Sequence, residues 1–107
     1  MAQVELTEAQ NGARIVLHTG DVVTIRLTER SGGGYRWTPS SVDAARLELR
    51  DQRYETTRAG VGGAGASVWT FIARQPGHTR LELKQLRPWD PSYSAAERFA
   101  VDLEIRD

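Results

Sequence analysis

The stretch Phe99-Ala100-Val101-Asp102-Leu103-Glu104-Ile105-Arg106 decides the fold class, because a large apolar side chain occupies every second position. Successive side chains of a β-strand point to opposite faces, so a period of two predicts a strand with one buried and one solvated face. The same alternation recurs earlier in the chain, in segments 4–6, 14–18, 23–28, 35–37, 47–54, 67–73 and 79–86. No long stretch carries the 3.6-residue period of a helix.

Turns that contain glycine or proline separate these segments. About seven to eight short alternating strands predict an all-β fold, namely an immunoglobulin-like antiparallel β-sandwich. A chain of this length buries roughly two thirds of its unfolded surface, so we expect one domain over residues 1–107. The turn Gln75-Pro76-Gly77-His78 predicts a hairpin of segments 67–73 and 79–86. Residues 43–50 leave two interpretations open, a strand through Leu47 or a single helical turn.

The composition argues against several classes of function. The chain has 14 Lys and Arg residues and 14 Asp and Glu residues, so no net field steers it towards nucleic acid or an anionic membrane. It has no cysteine, which excludes disulfides, thiolate catalysis and cysteine-based metal sites. No run approaches the roughly 20 apolar residues of a membrane span. We expect a monomer without a cofactor.

The N-terminal stretch Met1-Ala2-Gln3-Val4-Glu5-Leu6 has neither the basic n-region nor the apolar h-region of a secretory signal. We therefore expect a cytoplasmic protein if the sequence is complete, and a periplasmic or secreted one if a leader has been removed. The absence of cysteine does not distinguish these compartments.

Candidate catalytic residues are few. Only His18 and His78 could supply an imidazole base, and both flank turns, where a polar surface residue is ordinary. Two histidines without ligand spacing make a poor metal site, and the scattered acidic residues form no pair suited to acid–base catalysis. Segment 60–65 matches G-x-G-x-x-G, but a strand-like sequence follows it, whereas a dinucleotide site needs a helix there. We therefore expect neither an enzyme nor a metal site.

Three loops carry the binding signals instead. In Arg87-Pro88-Trp89-Asp90-Pro91 two prolines stiffen a support for arginine and tryptophan, two side chains enriched in interface hot spots. The alternative is that Trp89 folds back over the edge of the core. The glycine-rich segments 31–34 and 60–65 present backbone that can approach another surface closely; the less favoured alternative is that 60–65 is a flexible connection. All three loops follow alternate strands, so we expect them to emerge at the same end of the sandwich.

These loops resemble those of the chagasin family of cysteine protease inhibitors, whose members carry N-P-T-T-G-[YF]-x-W, G-x-G-G and R-P-W loops on an immunoglobulin-like sandwich. The resemblance covers the chain from about Val22 to Ile105. The first motif appears as Arg30-Ser31-Gly32-Gly33-Gly34-Tyr35-Arg36-Trp37, which keeps Gly34, Tyr35 and Trp37. The second is intact as Gly60-Val61-Gly62-Gly63, and the third as Arg87-Pro88-Trp89.

The resemblance implies a reversible, competitive inhibitor of papain-like, cathepsin-like cysteine proteases, which inserts three loops into the active-site cleft. The implied protease-binding residues are Ser31, Gly32, Gly33, Gly34, Tyr35, Gly60, Val61, Gly62, Gly63, Arg87, Pro88 and Trp89. The first loop would lie near the catalytic thiol, with the other two on either side, and Trp89 would supply a rigid aromatic surface. We expect Tyr35 and Trp37 to act mainly in the core or as supports.

The first loop departs from the family pattern, because Arg-Ser-Gly-Gly replaces Asn-Pro-Thr-Thr at 30–33. The change removes a proline that would preorganise the loop, and the added glycines raise the cost of ordering it on binding. We expect either a reduced affinity or a different target enzyme. The alternative function is an immunoglobulin-like module that binds carbohydrate or a surface protein, with Trp89 and Tyr93 as a stacking platform.

Overall fold

The computed structural model describes residues 2–30, 36–56, 64–86 and 97–107, which form eight strands in two four-stranded sheets. The strands are β1 (Gln3–Leu6), β2 (Arg14–His18), β3 (Val22–Arg30), β4 (Arg36–Ser41), β5 (Leu47–Thr56), β6 (Ala64–Ala73), β7 (Gly77–Leu86) and β8 (Glu97–Arg106). One turn of 3-10 helix, Glu8–Gln10, lies between β1 and β2. The predicted all-β, immunoglobulin-like sandwich is confirmed.

The strand order is β1-β3-β6-β5 in the first sheet and β2-β8-β7-β4 in the second. Most neighbours are antiparallel, as predicted, but β1 pairs with β3 and β2 pairs with β8 in parallel. Both parallel strands lie at an edge of their sheet. An alternating sequence reveals which face of a strand is buried but not the direction of its neighbour, so the sequence could not predict this difference.

The predicted hairpin of segments 67–73 and 79–86 is wrong. Strand β6 pairs with β3 and β5, whereas β7 pairs with β4 and β8 in the other sheet. The residues between them bond to a turn before β5 rather than to each other: the Arg74 N–H donates to the Arg46 carbonyl at 2.7 Å, and Arg46 Nε donates to the Pro76 carbonyl at 3.2 Å. Gly77, with φ of 135°, permits the change of direction between sheets.

The turn before β5 reconciles the two interpretations of residues 43–50. The backbone N–H groups of Arg46 and Leu47 both donate to the Asp43 carbonyl, at 3.1 and 2.8 Å, which is one helical turn. The strand then begins at Leu47. Asp43 also accepts from Arg46 Nη1 at 2.7 Å, and the Arg46 hydrogen bond lowers the pKa of the Asp43 carboxyl.

The core lies between the sheets and follows the predicted alternation. Trp69, Phe71 and Ala73 of β6 all face it, as their spacing predicted, and Trp37 is 4% exposed, which confirms its expected role in the core. The largest fully buried side chains are Phe71, Phe99, Leu17, Ile25, Leu27, Leu47, Leu81, Leu83, Leu103, Val23, Val68 and Val101. Among the described residues, no helix is long and apolar enough to cross a membrane.

Ion pairs cover the outer face of the first sheet. Val68 lies in register with Arg26 on one side and Arg53 on the other, and it is fully buried although it faces away from the core. Arg26 pairs with Glu55 and lies 3.8 Å from Glu5, and Arg53 Nε contacts Glu55 at 2.8 Å. The two arginines hold the pKa of the Glu55 carboxyl below its usual value.

A buried carboxylate fastens the N-terminal strand at the opposite end of the molecule from Arg30 and Ala64. Asp21 is 5% exposed, and its two oxygens accept the backbone N–H groups of Ala2 and His18, each at 2.9 Å. These two hydrogen bonds lower the pKa of the Asp21 carboxyl, and the one from Ala2 has the larger effect. Its backbone carbonyl accepts from the Ala73 N–H at 2.9 Å, so Asp21 connects three segments of the chain.

Candidate functional site

In the first sheet, three strand ends meet at one end of the sandwich. Arg30, the last residue of β3, is the register partner of Ala64, the first residue of β6. Thr56, the last residue of β5, is the partner of Gly65. These antiparallel pairings bring the ends of β3 and β5 beside the start of β6.

The second sheet has a matching set. Arg36, the first residue of β4, is the partner of Leu86, the last residue of β7. Gln85 is the partner of Glu97, where β8 begins. The starts of β4 and β8 therefore flank the end of β7.

Two hydrogen bonds join these sets across the sandwich. The backbone N–H of Trp37 donates to Glu29 Oε1 at 2.8 Å, and Trp37 Nε1 donates to the Thr28 carbonyl at 2.9 Å. The end of β3 in the first sheet thus lies against the start of β4 in the second. All six strand ends belong to one end of the molecule, which we call the loop-bearing end.

The segments 31–35, 57–63 and 87–96 begin and finish at these six strand ends. They contain all twelve residues for which protease binding was predicted, and all twelve lie outside the described residues: Ser31, Gly32, Gly33, Gly34, Tyr35, Gly60, Val61, Gly62, Gly63, Arg87, Pro88 and Trp89. The roles of these residues stay predictions. The strands that flank the three segments do end together, which was the geometric requirement for a single binding surface.

Sequence reasoning missed Glu29, a buried charged residue at the loop-bearing end. It is 3% exposed, and besides the Trp37 N–H its carboxylate faces Arg36, with Oε2 3.6 Å from Nη1. A signal was present: Val23, Ile25, Leu27 and position 29 share the inward face of β3, so a carboxylate continues a stripe of apolar residues. The alternation predicts a strand only to residue 28, whereas β3 continues to Arg30.

Gly65 was predicted to belong to the glycine-rich loop 60–65, but the structure places it in β6, at the base of the segment 57–63. A Cβ atom there would lie 2.5 Å from the Glu55 carbonyl oxygen and 2.5 Å from Tyr54 Cζ. Real Cβ atoms do not approach backbone so closely, so this position of β6 requires glycine for its packing rather than for its φ angle. Glycine thus allows the end of β5 to lie closely against the start of β6, on either side of the segment 57–63.

A polar cleft of about 480 Å³ opens between the edge strands β4 and β5, beside the loop-bearing end. Its lining includes Glu29, Trp37, Gln52, Tyr54 and Ser67. No imidazole is among the described residues that line it, and Glu29 is already bonded to the Trp37 backbone. This lining therefore lacks the base and nucleophile pair that acyl transfer would need.

The two histidines do not form a catalytic arrangement. The His18 and His78 side chains are 62% and 70% exposed. His78 lies 3.3 Å from Glu104, but this carboxylate also pairs with Arg14 at 3.0 Å, and Arg106 is the main cause of its lowered pKa. Within the described ranges, no three His, Cys, Asp or Glu side chains are grouped so that they could hold a metal ion.

Comparisons with known proteins agree with this arrangement. The sequence model of a family described as Chagasin family peptidase inhibitor I42 matches residues 16–103. Chagasin from Trypanosoma cruzi is 24% identical over 105 residues, which cover 94% of this chain and 96% of chagasin. The cysteine protease inhibitor EhICP2 from Entamoeba histolytica has the same fold, with a TM-score of 0.89 at 21% identity over 99% of this chain and 97% of that one.

A further structural neighbour was solved bound to an enzyme. PbICP-C in complex with falcipain-2 matches with a TM-score of 0.66 at 15% identity, over 99% of this chain and 100% of that chain. At these identities the two structural neighbours share the fold with this chain, whereas the family match rests on the sequence itself.

Proposed function

Since the chain belongs to the Chagasin family of peptidase inhibitors, as its three motifs indicated, we propose how it inhibits. It is a single inhibitor domain over residues 1–107 that binds papain-like, cathepsin-like cysteine proteases reversibly and competitively. The segments 31–35, 60–63 and 87–89 enter the active-site cleft. The observation that carries the proposal is the meeting of six strand ends at the loop-bearing end.

Hydrogen-bonded strands give these segments a rigid base. We call the strand residues on either side of each segment its stems. The stems belong to sheets whose backbone hydrogen-bond ladders continue to the strand ends, as in the Arg30–Ala64 and Arg36–Leu86 pairs. A rigid base lowers the entropy lost on association, because only the segments themselves have to be ordered. Inhibition therefore depends on shape and on preorganised stems.

Each segment contributes a different kind of contact. The glycines of 32–34 allow main chain to enter a narrow groove beside the thiol, and Gly62 and Gly63 allow close approach to a wall of the cleft. Trp89 offers a large rigid ring, and Arg87 can pair with acidic groups of the enzyme. PbICP-C, which has this fold, forms a complex with falcipain-2, and this supports a protease as the partner. No observation favours the carbohydrate-binding alternative.

Inhibition kinetics with papain and a cathepsin test the proposal. We expect reversible inhibition that raises KM without changing kcat, and we expect Trp89→Ala to increase the inhibition constant by at least about tenfold, as for an interface hot spot. Val16→Ala is the matched control, since Val16 is 44% exposed and lies on β2, away from the loop-bearing end. Absence of inhibition at micromolar concentration would refute the function. An unchanged inhibition constant for Trp89→Ala would refute the assignment of the aromatic anchor.

A further inference from the structure

We propose that Glu29 is the positioning residue of the first inhibitory segment, 31–35. Its buried carboxylate holds the end of β3 against the start of β4, and so sets the separation of the two points from which the segment leaves the sandwich. The inference rests on the proposed function, because it explains how one of the three inserted segments is prepared for binding.

Glu29 contacts the far stem of that segment, which is the start of β4. Oε1 accepts the backbone N–H of Trp37 at 2.8 Å, and Oε2 lies 3.6 Å from Nη1 of Arg36. Glu29 is the last residue but one of β3, and Arg36 is the first residue of β4. The carboxylate therefore bridges the segment from one stem to the other.

Trp37 completes the bridge from the opposite direction. Its indole Nε1 donates to the carbonyl of Thr28 at 2.9 Å, and the residue is 4% exposed within the core. Strands β3 and β4 belong to different sheets and share no ladder. The two Trp37 hydrogen bonds thus replace the regular backbone pairing that would otherwise fix such neighbouring strand ends.

A carboxylate interrupts the apolar face of β3 at this position. Val23, Ile25 and Leu27 precede it on the same inward face of β3, and each is fully buried. Burying a carboxylate carries a desolvation penalty, which the hydrogen bond from the Trp37 N–H offsets, whereas Arg36, whose side chain is 58% exposed, contributes little. The carboxylate therefore serves its contact with the start of β4, and that contact sets the geometry at both ends of 31–35.

Because the segment is rich in glycine, the separation of its two ends has a large effect on the cost of ordering it. Gly32, Gly33 and Gly34 follow one another, and glycine loses more conformational freedom on ordering than any other residue. With both ends held at a set separation, fewer conformations have to be excluded when the protease binds. The bridge made by Glu29 thereby lowers the ordering cost that the glycines raise.

Three variants test the inference against papain. Glu29→Leu continues the apolar stripe but leaves the buried Trp37 N–H without its acceptor, so we expect its Tm to fall by several degrees. It should also raise the inhibition constant about tenfold, mainly through slower association. Glu29→Gln keeps an oxygen for the Trp37 N–H, so we expect it to restore most of the inhibition. Asp21→Ala removes another buried carboxylate that accepts backbone N–H groups, at the opposite end; it should lower Tm and leave the inhibition constant within about twofold.

A measurement without protease separates this inference from the proposed function. Backbone ¹⁵N order parameters of Gly32, Gly33 and Gly34 should fall in Glu29→Leu, recover in Glu29→Gln and stay unchanged in Asp21→Ala. If the unmodified protein does not inhibit papain, the proposed function fails and the order parameters still decide the role of Glu29. Unchanged order parameters in Glu29→Leu would overturn the positioning role, and so would inhibition by this variant equal to that of the unmodified protein.

Discussion

Replacing Asp21 with asparagine should lower stability at neutral pH and remove a defined part of its pH dependence. Each Asp21 oxygen accepts one backbone N–H, from Ala2 and from His18, at 2.9 Å, and the residue is 5% exposed. Asparagine keeps one acceptor oxygen, but its NH₂ group would face the other backbone N–H. The variant therefore loses one charge-assisted hydrogen bond and leaves one donor without this partner.

The size of the effect follows from that lost bond. A hydrogen bond to a charged group contributes about 1.5–3 kcal/mol, so Asp21→Asn should reduce the free energy of unfolding by about 2 kcal/mol. Unfolding entropy is about 2.1 cal/mol/K per residue. For a chain of 107 residues, the loss corresponds to a Tm lower by about 9 °C.

The pH dependence has a definite sign. The backbone N–H groups of Ala2 and His18 hold the pKa of Asp21 below its usual value. A depressed pKa in the folded state contributes stability that is fully present above the unfolded pKa of about 3.9. This contribution is lost as the pH falls through the folded pKa. The difference in stability between the unmodified protein and the Asp21→Asn variant therefore follows the titration of this one carboxyl.

Urea unfolding followed by tryptophan fluorescence measures this difference. We expect a gap of about 2 kcal/mol at neutral pH that narrows steadily below about pH 4 and closes once Asp21 is protonated in the folded protein. The other carboxyls titrate in both proteins, so they cancel in the comparison. A gap that stays constant down to about pH 3 would refute the assignment of the stabilisation to the charged carboxylate.

Four other substitutions, one of them a control, test the packing and the surface. Gly65→Ala should reduce the free energy of unfolding by about 1–3 kcal/mol in thermal melts, because its Cβ would press on the Glu55 carbonyl. In the control Gly12→Ala, which has open space around the added Cβ, only the backbone strain at a positive φ should lower the free energy of unfolding. Trp37→Phe should lose about 1 kcal/mol in urea unfolding, since the Thr28 carbonyl loses its indole donor. Glu55→Gln should leave Tm almost unchanged at any salt concentration, because exposed ion pairs contribute little; a clear loss of Tm would contradict this.

The period of two in the sequence was sufficient to predict the fold class and the buried faces. Phe99 and Leu103 lie on the apolar face of their segment, and Trp69 and Phe71 do the same in β6; all four side chains are buried as expected. The three loop motifs, including the one that ends at Trp37, were sufficient to identify the family. These properties are local, since each depends on residues a few positions apart in the chain.

Strand partners could not be obtained in this way. The turn Gln75-Pro76-Gly77-His78 has the composition of a hairpin turn, yet it connects β6 in one sheet to β7 in the other, because the backbone at Arg74 and Pro76 bonds to Arg46. The parallel pairing of β1 with β3 was likewise invisible. Pairing depends on contacts between residues far apart in the sequence, and a pattern that repeats every two residues fits many partners equally well.

The sequence by itself determined that this protein is a β-sandwich with three motif-bearing loops, and the alternation of strands and loops predicted that the strands flanking those loops end together. Only the tertiary structure showed that the carboxylate of Glu29 fastens two of these strands across the sheets. The physical reason is that a buried charge is tolerable only with a partner close in space, and here that partner, the Trp37 backbone, is supplied by a strand of the opposite sheet.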